Sequence, residues 1–368
     1  MITNLRIRAF KRFEDESFSL RPLTVLTGLN GSGKTSVIHS LLLAWEATAS
    51  APHETIRLNG PFGIELGTAE EVRNWSSSKN IEIHLESENN KINSWSLSIP
   101  TSDSLYLSVS ARPDTDIPAF SSKPRHFTYL CAERLGPRSL LNSSPIPSER
   151  LEIGVQGEYC AQILGALGSK PFEFPERLHP LKDKEPSLLL KYEVESWLAE
   201  IVRPVELDTI HYPGTTVTAM QFRFTGQDWV RAPNMGFGIS YALPIILAGL
   251  TTPPSGLLIV ENPEAHLHPA GQSRIGAFLA WLANCGVQVI VETHSDHVLN
   301  GIRRAIGDYR YLSHSNAIVH FFDSSQNDQP DIKNLNFTKT GGISHWPKGF
   351  FDQYQIDIAS LGKIRRER

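Results

Sequence analysis

The chain has 368 residues, 40% apolar and 20% charged, with a formal net charge of -4. These ordinary globular proportions exclude an intrinsically disordered chain. The acidic balance excludes a strongly basic protein and leaves any nucleic-acid role to local basic patches. Three scattered cysteines, Cys131, Cys160 and Cys285, lack CxxC or Cys/His spacing, which fits a reducing cytosol and argues against a disulfide framework. The charged start MITNLRIRAFKR has no apolar h-region, so no signal peptide is expected. The longest apolar run, Tyr241 to Leu250, contains Pro244 and is too short for a bilayer, so a cytoplasmic protein without membrane partners is expected.

In chain order, ITNLRIRAF alternates apolar and polar residues, as a half-buried strand does. FSLRPLTVLTG supplies a short strand and then an apolar one, Leu23 to Leu26, running into a glycine-rich loop. TSVIHSLLLAWEAT follows as an amphipathic helix, and residues 50–80 read as loop-rich. IEIHLE, INSWSLS and SLYLSVS predict an antiparallel meander, and HFTYLCAER a strand returning to the core. From Leu151 to Val202 the pattern turns helical, with GEYCAQILGAL and PSLLLKYEVESWLAEIV the clearest helices and proline-rich breaks at 170–175 and 179–186. VELDTIHYP and TVTAMQFRF are strands again. A glycine turn then leads to a helix expected over Ala242 to Leu250, since Pro244 would break a helix that began much earlier. A buried strand (Leu257 to Val260), a helix (Gln272 to Asn284), a strand (Val287 to Glu292) and a helix (His297 to Ala305) precede a tail ending LGKIRRER. GLLIV and VQVIV are almost continuously apolar, the mark of parallel strands covered on both faces. No internal repeat or heptad array is visible.

Gly28-Leu-Asn-Gly-Ser-Gly33-Lys34-Thr35 fits G-x-x-x-x-G-K-[ST] in the context that pattern requires: apolar strand, loop, helix. Here the backbone of Asn30, Gly31, Ser32 and Gly33, and the helix start through Ser36, can turn N–H groups toward phosphate oxygens. The helix N-terminus adds partial positive charge. Lys34 would reach the β- and γ-phosphates, and Thr35 would hold Mg²⁺. A ligand-free glycine turn is the plainer alternative. Asn90-Lys91-Ile92-Asn93 lacks the aspartate that would pair with guanine, which disfavours GTP.

The run Gly256 to Pro269, GLLIVENPEAHLHP, is an apolar strand ending in the acids Glu261 and Glu264. An acid there can order Mg²⁺, and an adjacent base can orient the attacking water. VQVIVETHS ends a second buried strand with His294. Upstream, Gly236-Phe-Gly238-Ile-Ser240 precedes a helix and suits close backbone approach to a further phosphate.

These four elements, in this order, resemble the ATP-binding cassette ATPases. ENPEAHLHP and ETHSDH resemble most closely the branch containing SMC proteins, RecF and the overcoming-lysogenization-defect nucleases. YLCAERLGPR, GVQGEYCAQIL and WPKGFFDQ are similar to a bacterial subfamily of AAA-type ATPases with an unassigned C-terminal domain. The resemblance covers residues 1–45 and Arg231 to Arg304. It implies an α/β ABC-ATPase-type P-loop fold with a mixed or parallel central sheet, an antiparallel β subdomain and a helical lobe. The implied division is an N-terminal ATPase lobe (1–150), a helical insertion (151–205) and a C-terminal lobe (206–368). It further implies a head-to-tail homodimer or higher oligomer. ATP would lie between the cradle of one copy, Gly28 to Thr35, and the signature turn of the other, Gly236, Gly238 and Ser240. His294 would contact the γ-phosphate, Thr35 and Glu261 would hold Mg²⁺, and Arg12 would lie near the nucleotide.

Several positions depart from the pattern. Family members commonly read Asp-Glu at the strand end, the Glu acting as general base; here the pair is Glu261-Asn262. Asparagine cannot accept a proton, so the role passes to Glu264 or Glu292 and slow basal turnover is expected. No clear equivalent of the cassette glutamine exists; Glu133, Arg134 and Arg138 are candidates by position, beside the plainer reading of a surface salt-bridged loop. The proline-broken stretch between YLCAER and VELDTI excludes a long coiled coil, and no dense acidic cluster after His294 suggests a built-in nuclease. The histidines 266, 268, 294 and 297 lack the spacing of a zincin helix. Arg6, Arg8, Lys11 and Arg12 could serve nucleotide, DNA or solubility, Arg365-Arg366 could touch DNA, and Trp346 could anchor a partner.

The expectation is an ATPase whose ATP-gated dimerisation controls a separately encoded effector, a nuclease, in DNA repair or anti-phage defence. The alternatives are an ATP-binding switch that barely hydrolyses, a transporter nucleotide-binding subunit and a P-loop small-molecule kinase. The chain lacks the transporter's L-S-G-G-Q signature.

Overall fold

The computed structural model describes residues 1–49, 54–121, 123–180, 188–323 and 331–364; Arg365 and Arg366 lie outside the described residues. Strands β1 (Ile2–Phe10), β2 (Phe13–Ser19) and β3 (Leu23–Gly28) precede helix α1 (Lys34–Ala49), strand β4 (Thr55–Arg57) and the one-turn helix α2 (Ala69–Val72). Next come β5 (Ile81–Ser87), β6 (Ile92–Ser98), β7 (Tyr106–Ala111), β8 (Phe127–Leu130) and β9 (Leu141–Asn142). The middle holds α3 (Cys160–Leu167), α4 (Leu190–Ile201), β10 (Glu206–His211), β11 (Val217–Arg223) and β12 (Val230–Arg231). The chain continues through α5 (Phe237–Thr251), β13 (Leu257–Glu261), α6 (Pro269–Asn284), β14 (Gln288–Glu292), α7 (Asp296–Gly307), β15 (Ala317–Asp323), β16 (Asp331–Asn336) and α8 (Gln353–Ile364).

The central sheet has six strands in the order β16-β15-β3-β14-β13-β8. Every pairing is parallel except β15 with β16. Strands β13 and β14 are buried along their whole length, as their unbroken apolar runs require. A second, antiparallel sheet runs β2-β1-β5-β6-β7-β4. Its meander alternates buried and part-buried residues, most regularly in β5, because successive side chains point to opposite faces. One core joins that sheet, α1 and one face of the central sheet through Phe13, Leu41, Trp95 and Ile290. The other joins α3 to α7 onto the opposite face through Trp197, Ile246, Phe278 and Val291. The result is an α/β P-loop architecture with a mixed central sheet and an antiparallel β subdomain.

Two sequence readings change. Helix α5 starts at Phe237, so Pro244 lies inside it rather than at its start. Proline removes one i→i−4 hydrogen bond. Yet Ile239 and every residue from Ala242 to Thr251 are buried, and that apolar burial outweighs the lost bond. The segment after α7, read as a tail, supplies β15, which pairs in parallel with β3 beside the glycine loop.

A buried arginine closes the helical side. Arg177 Nη1 donates to the carbonyls of Gly249 and Thr252 at the end of α5, and its Nη2 to the Cys285 carbonyl just past α6. Its guanidinium lies 4.3 Å from the Phe174 ring centroid. Helix C-termini leave carbonyls without intrahelical donors, and one fully buried cation satisfies both ends. Arg177→Met is therefore expected to cost roughly 3 kcal/mol. Denaturant unfolding checks this, and a midpoint equal to that of the unaltered protein would contradict the assignment.

Candidate functional site

The cradle is shaped by close backbone approach. Strand β3 ends at Gly28 with φ +129°, where an added Cβ would lie 2.0 Å from the Phe322 carbonyl oxygen of β15. No side chain fits there, so the glycine is demanded by the neighbouring strand. The loop is held from within by Ser32 Oγ, which donates to the Leu29 carbonyl at 2.6 Å, and from outside by Arg12, whose Nη1 donates to the Gly31 carbonyl at 2.6 Å. Helix α1 begins at Lys34. The Lys34 side chain is buried, and its Nζ donates to the carbonyls of Leu29 (2.6 Å) and Gly28 (3.1 Å). Burial pulls the ammonium below its ordinary pKa, against the opposing pull of Glu292.

The acid side gathers at the ends of the parallel strands. Glu261 and Glu292 are register partners on β13 and β14, so their carboxylates leave the sheet side by side. Glu292 faces the cradle: both of its oxygens lie 3.1 Å from Thr35 Oγ1. Burial, with the Glu261 charge next, pushes Glu292 up to about 7. Glu261 turns the other way. It accepts from Tyr129 Oη (3.0 Å) and from the Ala132 backbone N–H (3.2 Å), and burial raises its pKa too. Glu264 accepts from Thr293 Oγ1 (2.7 Å) and from the His294 backbone N–H (2.8 Å), so it fixes the histidine loop. His294 itself is exposed and lines the same cleft as Lys34, Thr35 and Glu292, with its pKa lowered first by partial burial and then by Lys34. Asn262 occupies a left-handed conformation, φ +43°, which asparagine tolerates better than glutamate.

Of the three candidates for the cassette glutamine, Arg134 alone enters this network. It is buried, donating to the carbonyls of Glu261 and Asn262, both at 2.6 Å, while its guanidinium lies 5.4 Å from the Tyr241 ring on α5. It thereby ties the acid strand to the helix that follows the signature turn. Glu133 and Arg138 are exposed.

The structure brings Arg12, Asn30, Gly31, Gly33, Lys34, Thr35, Ser36, Glu292 and His294 to one open cleft of about 450 Å³. Gly236, Gly238 and Ser240 do not line it; they sit at the start of α5, where Phe237 and Tyr241 pack on His266 with ring centroids 4.9 and 4.4 Å apart. Sequence reasoning gave no role to Tyr129 and Thr293, although both lie inside quoted motifs, and missed the rim residues Glu71, Arg73 and Trp75, which belong to none. On that rim Lys11 Nζ lies 3.0 Å from His39 Nδ1, and burial lowers the lysine to about 8.

Among the described residues no helix is long and apolar enough to cross a membrane. No curated protein sequence matches the chain. The fold is shared with the Smc head domain with an extended coiled coil bound to the C-terminal domain of ScpA, derived from Pyrococcus furiosus. The identity is 12%, the TM-score 0.52, and 99% of each chain is covered. It is shared also with an SmcHead bound to the C-winged helix domain of ScpA, at 14% identity and TM-score 0.51, over 92% of this chain and 98% of that one. Residues 312–361 match the model "Protein of unknown function (DUF3696)". Residues 23–300, from the P-loop strand through the histidine loop, match the model "AAA domain, putative AbiEii toxin, Type IV TA system". The chain belongs to that AAA family, on an ATPase fold of the SMC-head type.

Proposed function

We propose that the chain binds ATP with Mg²⁺ and hydrolyses it slowly, and that two copies close head to tail on the nucleotide. In this reading the closure controls a separately encoded effector, a nuclease acting on DNA in repair or anti-phage defence. One observation carries the nucleotide part: a buried lysine ammonium that donates to loop carbonyls, beside a Thr35 hydroxyl that meets a buried carboxylate. A triphosphate offers Lys34 stronger, charged acceptors than two carbonyls.

The residues fit a magnesium ion. Glu261 and Glu292 are neighbours whose pKa values are both raised, chiefly by burial, and a dication at Thr35 would favour their charged forms. Mg²⁺ would be held by Thr35 and by Glu261 once that carboxylate turns from Tyr129 and Ala132 toward the cradle, and would neutralise charge on the phosphate oxygens. The chain's own residues then divide the work. Lys34 and the loop N–H groups orient the phosphates. Glu264 positions His294 through the backbone. Glu292 lines the cleft, where the Thr35 hydroxyl is its one donor among the described residues, and it takes the proton of the attacking water at one of its oxygens.

The self-association part rests on the signature turn, where Gly236 is exposed and Gly238 and Ser240 are part-buried, and which does not line the cradle's cleft in its own chain. The partner part rests on Trp346 and on α8, where Ile356, Ile358 and Leu361 are exposed, and on the Smc heads being bound to domains of ScpA. A second reading, an ATP-binding switch that barely hydrolyses, is favoured by Asn262 and by the engagement of both Glu264 oxygens.

Lys34→Ala is expected to weaken ATP binding at least about 100-fold, measured by calorimetry. Glu292→Gln should keep ATP binding and lower single-turnover hydrolysis roughly 10²–10³-fold. Hydrolysis that survives both Glu292→Gln and Glu264→Gln at an ordinary cassette rate would refute the proton role, while tight binding with no single-turnover product would establish the switch.

The same carboxylate sets a pH dependence. Glu292 has a folded pKa of about 7 against an ordinary 4.5, so the folded state binds the extra proton. Its contribution therefore favours folding on the acid side and is lost as pH rises from 4.5 through 7. Nucleotide-free Glu292→Gln protein should lose this dependence and gain roughly 1–3 kcal/mol at pH 8 relative to pH 5. Thermal melts at the two pH values, without Mg²⁺, give the comparison; parallel shifts in both proteins would contradict it.

A further inference from the structure

The phosphate cradle is blind to what the phosphates carry, yet the cleft extends beyond it to a rim of Lys11, Arg12, Arg73 and Trp75. Trp75 has 68% of its surface exposed, more than the other exposed tryptophan, Trp346, at 45%. Tryptophan is large and apolar, so an indole left in water on the wall of a ligand-sized cleft is a surface prepared for something. Its backbone is firmly placed. The preceding Asn74 is buried, donates from Nδ2 to the Lys11 carbonyl (2.7 Å) and from its backbone N–H to the Ala9 carbonyl (3.0 Å). The Asn74 Oδ1 accepts from the Ser76 backbone N–H (3.0 Å) and Oγ (2.6 Å). Lys11 N–H donates to the Val72 carbonyl at 2.8 Å, which stitches the turn after α2 to the β1–β2 turn. Among the described residues no aromatic ring or cation stacks on the indole. The ring is thus fixed at its base and open on its face, on the same cleft as Lys34 and Thr35.

We infer that Trp75 is the stacking platform for the base of a bound nucleoside triphosphate, and that it makes the site prefer purines over pyrimidines. This rests on the P-loop reading above and adds to it the residue that distinguishes a nucleotide from bare triphosphate. Stacking scales with the area of the π-face and ignores the hydrogen-bonding edge, so the larger purine ring gains more and adenine is not separated from guanine.

The test is calorimetric titration, without Mg²⁺, of the full chain with ATP, CTP and inorganic tripolyphosphate, alongside Trp75→Ala, Trp75→Phe and Lys34→Ala. Light scattering of each nucleotide-free protein accompanies it. The unaltered protein should bind ATP about tenfold more tightly than CTP or tripolyphosphate. Trp75→Ala should lose about that tenfold for ATP alone, and Trp75→Phe should keep most of it. Trp75→Ala binding ATP like the unaltered protein, or losing tripolyphosphate equally, overturns the stacking role. So does a change in oligomeric state with affinities untouched, which would make the indole an anchor between copies. If Lys34→Ala loses both ATP and tripolyphosphate while Trp75→Ala loses nothing, the cradle stands and only the stacking role falls. If the unaltered protein binds neither ligand, both fall together.

Discussion

The site depends on burying opposite charges at one edge of a parallel sheet. Strands β3, β14 and β13 are adjacent, so Glu292 and Glu261 are delivered side by side, while Lys34 stands at the start of the helix after β3. A buried ammonium and two buried carboxylates are each costly alone. Here each is given specific partners: loop carbonyls for Lys34, the Thr35 hydroxyl for Glu292, and Tyr129 with the Ala132 N–H for Glu261. Burial first, and the Glu261 charge next, still raise Glu292 against the opposing pull of Lys34. The proposed triphosphate and Mg²⁺ would add an anion on one side of this site and a dication on the other.

The asparagine at the strand end bears on how that site is used. Asn262 adopts the left-handed turn that lets the chain leave β13, and its carbonyl accepts from Arg134. In the proposed reading the acid function moves laterally, to the next strand, rather than forward along the same one. Because Glu264 is committed to the backbone of the histidine loop, the lateral neighbour Glu292 is left facing the cleft. Arg134 then links this edge to α5 through Tyr241, and α5 begins at the signature turn. The two ends of the proposed sandwich are therefore connected within one chain by a buried guanidinium and by the packing of Phe237 and Tyr241 on His266.

The two family matches divide a structural unit. The AAA match ends at residue 300, while β15, within the DUF3696 match, is the strand that pairs with β3 and fixes the shape of Gly28. Leu29 N–H donates to the Phe322 carbonyl at 3.1 Å, so the glycine loop is braced by the segment after the AAA match. The buried His320 reinforces that bond of chain ends, its ring nitrogens meeting the Ser19 carbonyl at 2.9 Å and Asn334 Oδ1 at 2.6 Å.

Much of this was legible in the residues. The parallel strands were visible because burial on both faces demands unbroken apolar runs, the meander because burial on one face demands alternation, and the cradle because only glycine tolerates its backbone. Placement of β15 was not legible: AIVHFFD is as apolar as a core strand, but its pairing with β3 is a contact between distant parts of the chain. The proline inside α5 misled for a similar reason, since local propensity yields to burial of the whole helix. Sequence alone thus determined the residue types at each strand end and the class of ligand they suit. Tertiary structure decided which acid meets Thr35, which arginine is buried beneath the acid strand, and that an isolated tryptophan shares the phosphate cleft. Those outcomes depend on side-chain direction across neighbouring strands and loops, and a linear pattern carries no such information.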